Sequence, residues 1–274
     1  MFIDLKTMDQ MHSIQFEMLK ELIKVMDTLQ VKYYFVHGSL LGAIRQHDFI
    51  IEDDDIDIAV PRNDYNRLMQ EGNGLLDKKY FLQTSINDDF PLAFGKMRNS
   101  STTFLQPVLD NYECNKGIYI DIFPLDYSPS FAFLYETRIK LMGIRINSKI
   151  ERNESIMYRF TKNISKILYP SIETTMKKRE QILSQMKASN LVSVYGGKRS
   201  ERKMPLEWFG EGKKVRFRDI EVNCPDCTDL YLKRIYGEDY LNHNPAQDRI
   251  SSDYKIEISA EVLDFEKTYS EYTR

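Results

Sequence analysis

The densest run of chemistry-bearing residues is Glu52-Asp53-Asp54-Asp55-Ile56-Asp57, a set of hard oxygen donors suited to a divalent cation. From Asp55 the chain alternates as Asp55-Ile56-Asp57-Ile58-Ala59-Val60. On a strand, this puts Ile56, Ile58 and Val60 on one face and Asp55 and Asp57 on the other. At a rise of about 3.3 Å per residue, their Cα atoms fall roughly 6 to 7 Å apart, within reach of one cation or a pair. Two bare anions so placed repel each other unless something positive lies between them, and a metal ion is the simplest such thing. An acidic surface loop is the plain alternative, and the alternation argues against it. A calcium loop of the EF-hand kind fails as well. Asp53, Asp55 and Asp57 have its spacing, but Ile58 stands where glycine is needed and Asp64 where glutamate is needed.

Another carboxylate sits in Gly117-Ile118-Tyr119-Ile120-Asp121-Ile122-Phe123-Pro124, an apolar run that reads as a strand ending at proline. A buried Asp121 needs a partner. If its strand lies beside that of Asp55 and Asp57, Asp121 joins the same centre, to bind metal or to take a proton from an attacking hydroxyl. The other reading is that Asp121 caps a turn.

These carboxylates require elements to hold them. Ile14, Met18, Leu19, Leu22, Ile23, Met26 and Leu29 recur at helical spacing, the mark of a helix with one packing face. Tyr33 to Val36 reads as a short buried strand stopping at His37-Gly38-Ser39, with a helix opening over Leu40 to Arg45. The 274 residues are 42% hydrophobic, enough for a real core in one large domain or two small ones. No run approaches the roughly 18 to 20 apolar residues of a membrane span, and the N-terminus does not read as a secretory signal. Cys114, Cys224 and Cys227 are too few for a disulfide framework. The expected location is therefore the cytoplasm. The net charge is −3, yet residues 138 to 188 hold 12 Lys/Arg against 4 Asp/Glu. Such a basic segment suits an anionic acceptor, a membrane surface or simply a solvated face, while the acidic remainder disfavours nucleic acid.

Together these motifs carry a resemblance. Gly38-Ser39 after a strand, followed by Asp-x-Asp on another, resembles the DNA polymerase β-like nucleotidyltransferase superfamily. More narrowly, His37-Gly38-Ser39-Leu40-Leu41-Gly42-Ala43-Ile44-Arg45, Phe49-Ile50, Asp53 to Ile58 and Pro61-Arg62-x-Asp64-Tyr65 resemble the LicD family of phosphocholine transferases. So do Ile120 to Asp126, Lys96-Met97-Arg98-Asn99-Ser100 and Leu232-Lys233-Arg234-Ile235-Tyr236-Gly237-x-Asp239-Tyr240.

The resemblance implies an α+β fold, a mixed sheet flanked by helices. It implies transfer of a phospho-alcohol, typically phosphocholine, from a CDP-activated donor to a sugar hydroxyl of a cell-surface glycan such as lipopolysaccharide or teichoic acid, releasing CMP. CDP-ribitol or CDP-glycerol as donor, nucleotidyl transfer, and a non-catalytic nucleotide- or metal-binding module stay open beside it. Asp55, Asp57 and Asp121 then hold Mg2+, or Mn2+, with Asp121 as third ligand or general base. Asp53 and Asp54 support them. Gly38 lets the backbone approach phosphate, and the Ser39 hydroxyl and following helix N-terminus donate to it. Arg45, Lys96 and Arg98 are candidates for the donor's pyrophosphate, although as isolated residues they read equally well as surface charges. The expected layout is a catalytic core at 1–129, a basic helical insertion at 130–200 forming the acceptor side, and a C-terminal part at 201–274 completing the core. Within the insertion, Lys177, Lys178 and Arg179 are the expected contacts to a phosphate-bearing glycan or membrane. Cys224-Pro225-Asp226-Cys227 invites a zinc reading but lacks an obvious set of four ligands. Trp208, Phe209 and Phe217 read as core anchors.

Overall fold

The computed structural model describes residues 1–128, 133–149, 155–194, 201–242, 249–251 and 255–272. It opens with strand β1 (Phe2–Ile3), then helix α1 (Leu5–Thr28), whose first turn is capped by the Asp4 carboxylate accepting from the Thr7 amide. Strand β2 (Tyr34–Phe35), helix α2 (His37–Arg45), strand β3 (Asp57–Pro61) and helix α3 (Arg62–Glu71) follow. Next come β4 (Tyr80–Gln83), β5 (Gly95–Asn99), β6 (Thr103–Leu105) and the long β7 (Ile118–Tyr127). Helices α4 (Phe133–Ile146), α5 (Ile156–Leu168) and α6 (Ile172–Ser184) lead to β8 (Leu191–Val194) and β9 (Met204–Pro205). A hairpin of β10 (Lys213–Phe217) and β11 (Ile220–Cys224), helix α7 (Thr228–Tyr236), and strands β12 (Ile256–Glu257) and β13 (Val262–Asp264) close the chain.

The main sheet runs β2-β3-β7-β5-β4, with β8 also on β7 and β9 on β8. β3 pairs with β7 in parallel, whereas β2 on β3, β5 on β7 and β8 on β7 are antiparallel. This mixed sheet with flanking helices is the α+β architecture the resemblance implies. One sheet face is apolar: Ile58, Val60, Met97, Ile120 and Ile122 are buried in the main core with Met18, Leu19, Leu22 and Met26 of α1. Phe209 and Phe217 join that core, and Trp208 packs against it half-buried.

Several expected boundaries move, each for a physical reason. β3 begins at Asp57, not Asp55, because the carbonyls of Asp53 and Asp54 are turned toward α1, where His12 and Gln15 bind them. α2 begins at His37, so Gly38 and Ser39 lie in its first turn and not ahead of it. β7 runs through Pro124, where an end was expected. Its pairing with β5 ends at Ile122 and its pairing with β8 starts at Leu125. Pro124 thus falls in a gap where no antiparallel neighbour needs its missing N–H.

The expected borders at 129–130 and 200 touch residues outside the described ones, and β8 belongs to the main sheet. Arg62 anchors the helical segment to that sheet. It makes a bidentate bond to Asp126 of β7 (Nε 2.6 Å, Nη2 2.9 Å) and reaches Glu180 of α6 at 2.7 Å. Arg179 is buried against Glu180 and does not extend the open patch expected with Lys177 and Lys178, while Lys177 pairs with Glu173. Among the described residues no helix is long and apolar enough to cross a membrane.

Candidate active site

The register of three neighbouring strands builds the site. On β7, Asp121 lies directly opposite Asp57 of β3 on one side and Lys96 of β5 on the other. Asp55 precedes Asp57 by two residues. Carboxylate oxygens of Asp55, Asp57 and Asp121 all come within 4.8 Å of one another. The two aspartates of the expected Asp-x-Asp pair therefore share a centre with the third. Lys96 is ion-paired to Asp121, and its ammonium sits 3.4 Å from the centroid of the Tyr119 ring.

The loop ahead of β3 is tied down from three directions. His12 Nε2 lies 2.7 Å from the Asp53 carbonyl, and Gln15 Nε2 donates to the Asp54 carbonyl at 2.8 Å. The Asp54 carboxylate accepts from Arg249 Nη1 at 3.1 Å and from the Ser259 amide at 2.6 Å. Asp54 is thus spent on structure. Asp53 lies farther from Arg249, at 3.9 Å, and packs on Gly38. A Cβ on Gly38 would overlap the Asp53 carboxylate, so the glycine makes room for this loop whatever else approaches it.

Helix α2 contributes its first turn. The Ser39 Oγ accepts from the Asp57 amide at 2.8 Å, which leaves the hydroxyl hydrogen free to donate elsewhere. His37 has a left-handed φ of 50°. Its ring spans two carboxylates, Nδ1 at 3.3 Å from Asp57 and Nε2 at 2.8 Å from Glu201. Burial opposes a proton on His37, but the charge of Asp57 and the hydrogen bonds to Asp57 and Glu201 outweigh it and raise the pKa to about 10. His37 is an imidazolium near neutral pH.

The carboxylates feel the reverse. Burial, then the charges of Asp57, Asp53, Asp54 and Asp121, lifts Asp55 well above the usual carboxylate range. Burial and Asp57 raise Asp53 to about 7. Asp121 rises to about 6, burial outweighing the help of Lys96. Lys96 is itself lowered by burial against the pull of Asp121. The Tyr236 phenol is pushed up by burial and by Asp53, Asp57, Glu201 and Asp55, so it belongs to the same surroundings.

The other expected phosphate contacts lie elsewhere. Arg98 is fully buried, its Nε on Gln83 (2.8 Å) and its Nη1 on the Gly117 carbonyl (2.8 Å), with the Tyr119 ring over it. Arg45 sits in the last turn of α2, about 9 Å along the axis from Ser39. Cys224 is buried on β11, its thiol pushed up to about 12 by burial.

The donor set suits a hard divalent cation: three convergent carboxylates, all oxygen, within a buried setting. Among the described residues no hydrogen bond or ion pair reaches the Asp55 carboxylate. Burial and like charge disfavour its ionised form unless a cation compensates.

Comparison with known proteins gives two similarities. Residues 30–150 match the profile described as LicD/FKTN/FKRP, nucleotidyltransferase domain. The chain is also similar to the lipopolysaccharide cholinephosphotransferase LicD of Haemophilus influenzae, at 22% identity over 232 residues, covering 80% of this chain and 86% of that protein. The matched stretch contains Asp53 to Asp57, Lys96 and Asp121. Glu201, Tyr236 and Arg249 come from beyond it. His37 is not among the expected site residues, and its place beside Gly38-Ser39 in the motif is the one local signal for it. For Glu201 and Arg249 no local pattern signals a role.

Proposed function

We propose that this protein transfers a phospho-alcohol, phosphocholine first among them, from a CDP-activated donor to a hydroxyl of a cell-surface glycan and releases CMP. The observation that carries the reading is the β3–β7 register, which sets Asp57 beside Asp121 with Asp55 in reach, inside a LicD-type domain. The name of the Haemophilus influenzae relative supports choline as the alcohol and lipopolysaccharide as the kind of acceptor. Phe94 and Phe123, their ring centroids 4.5 Å apart, offer aromatic faces of the kind a quaternary ammonium prefers.

In this reading Asp55, Asp57 and Asp121 hold Mg2+ or Mn2+, which when bound neutralises phosphate oxygens. Asp121, as third ligand or as general base, is the carboxylate placed to accept the proton of the attacking sugar hydroxyl. The sugar oxygen forms the new bond to the choline-bearing phosphorus. The bond from that phosphorus to the bridging oxygen breaks, and CMP leaves with the oxygen. Ser39's hydroxyl hydrogen and the first-turn amides of α2 donate to the donor's phosphates, and His37 adds positive charge beside Asp57. Lys96 steadies Asp121, and Arg98, sealed under Tyr119, stiffens β5. Arg45 acts only at long range. We place the reaction in the cytoplasm, where three unbridged cysteines stay reduced.

The test is to incubate the protein with Mg2+, a candidate glycan and CDP-choline, CDP-ribitol or CDP-glycerol in turn, following CMP release. Consumption of CDP-choline that Asp55→Asn and Asp57→Asn abolish supports the reading. If no donor is consumed, or both variants turn over like the parent, the reading is wrong.

A further inference from the structure

Helix α5 is built inside out. At 100° per residue, Ile156, Met157, Phe160, Ile164, Ile167 and Leu168 fall into one sector of roughly 120°. That sector faces water: Ile156 is 87% exposed, Met157 75%, Phe160 64%, Ile167 78% and Leu168 57%. The side turned toward the protein carries the buried Ser165 and the half-buried Tyr158 and Thr161. A helix recruited for core packing has the opposite arrangement. The third sector holds Arg159, Lys162 and Lys166, and the helix has no acidic residue.

The helix is also preformed. The Ser155 hydroxyl accepts from the Tyr158 amide at its start. Just past its end, Arg145 of α4 donates from Nε to the Tyr169 carbonyl at 2.6 Å and from Nη2 to the Pro170 carbonyl. α5 is therefore held against the body with its apolar sector outward.

An exposed apolar sector flanked on one side by Arg159 and Lys166, on a helix free of anions, is the chemistry of a helix lying in a membrane interface. Its apolar side chains enter the acyl boundary while Lys and Arg reach anionic headgroups. We propose that α5 docks this protein on an anionic lipid bilayer, parallel to its plane. A second copy fits the same face poorly. Pairing α5 with α5 would gather the two basic flanks with no carboxylate on the helix to offset them. This surface replaces the Lys177–Arg179 patch expected from the sequence, in which Arg179 is buried. The inference rests on α5 alone and does not depend on the reaction proposed above.

The test is co-sedimentation of the full chain with vesicles of phosphatidylcholine, alone or mixed with phosphatidylglycerol. The chain is expected to pellet with the anionic vesicles and to be released by salt. Replacing Met157, Phe160 and Ile167 together with Asp should abolish pelleting. Changing Arg159 and Lys166 to Gln should weaken it on the order of 30-fold. Both variants should keep the parent's thermal midpoint, since the replaced side chains face outward, and the Gln variant keeps the test alive should the Asp variant misfold. Three results would overturn the proposal: no pelleting of the parent, equal pelleting of parent and folded variants, or a parent dimer that the variants dissociate while vesicles are ignored.

Discussion

Strand β7 carries two buried aspartates in opposite company. Asp126 meets the fork of Arg62, and Glu180 and Arg179 complete a cluster of two cations and two anions. Asp121 meets Lys96 but shares its centre with the carboxylates of Asp55 and Asp57, with Asp53 close by. The first cluster is balanced by the protein's own side chains. Burial raises the carboxyl pKa values in both clusters, and in the second the like charges of neighbouring aspartates add to it. A closed buried ion network holds elements together, whereas an open one invites a cation and its phosphate ligand.

Breaking the contrast at the open end should give the largest effect. Asp57→Asn should cost at least about 1,000-fold in kcat, on the scale of losing a principal electrostatic contact to the transition state, with no fall in thermal midpoint. At the closed end, Asp126→Ala should instead destabilise the fold by about 3 to 5 kcal/mol, because Arg62 is left buried with half its partners. Chemical denaturation checks this, and turnover per folded molecule should change little. A smaller effect sharpens the substrate assignment: Phe94→Ala should raise the KM for CDP-choline about tenfold and leave that for CDP-glycerol nearly unchanged.

The smallest concerns pH without metal. Asp53 titrates at about 7 and Asp121 at about 6 in the folded chain, against an ordinary value of 3.8. Across that window the folded state binds more protons than the unfolded one, so stability is greatest at the acid end and falls as pH rises toward 7. Thermal midpoints in chelator should drop by a few degrees over that range, and Asp53→Asn should flatten the slope.

The sequence made the open cluster legible where geometry is local. Alternation put Asp55 and Asp57 on one side of a strand, and an aspartate inside an apolar run marked Asp121 as needing partners. It could not separate Asp53 from Asp54. Their different fates depend on Arg249 and Ser259, the latter 205 residues from Asp54. Glu201 likewise lies outside every motif. Arg98 alternated with Lys96 as a second phosphate contact would, yet Gln83 and the Gly117 carbonyl draw it into the interior. Arg62 and Asp126, both inside recognisable motifs, proved to be partners across the sheet, a pairing that only the β3–β7 register reveals.

The most direct test is calorimetric titration of Mg2+ into the metal-free protein above pH 7, where Asp53 and Asp121 are ionised. Saturable binding is expected, removed by Asp55→Asn and preserved by Asp126→Asn in protein that remains folded. Absence of binding by the parent, or equal binding by Asp55→Asn, would contradict it.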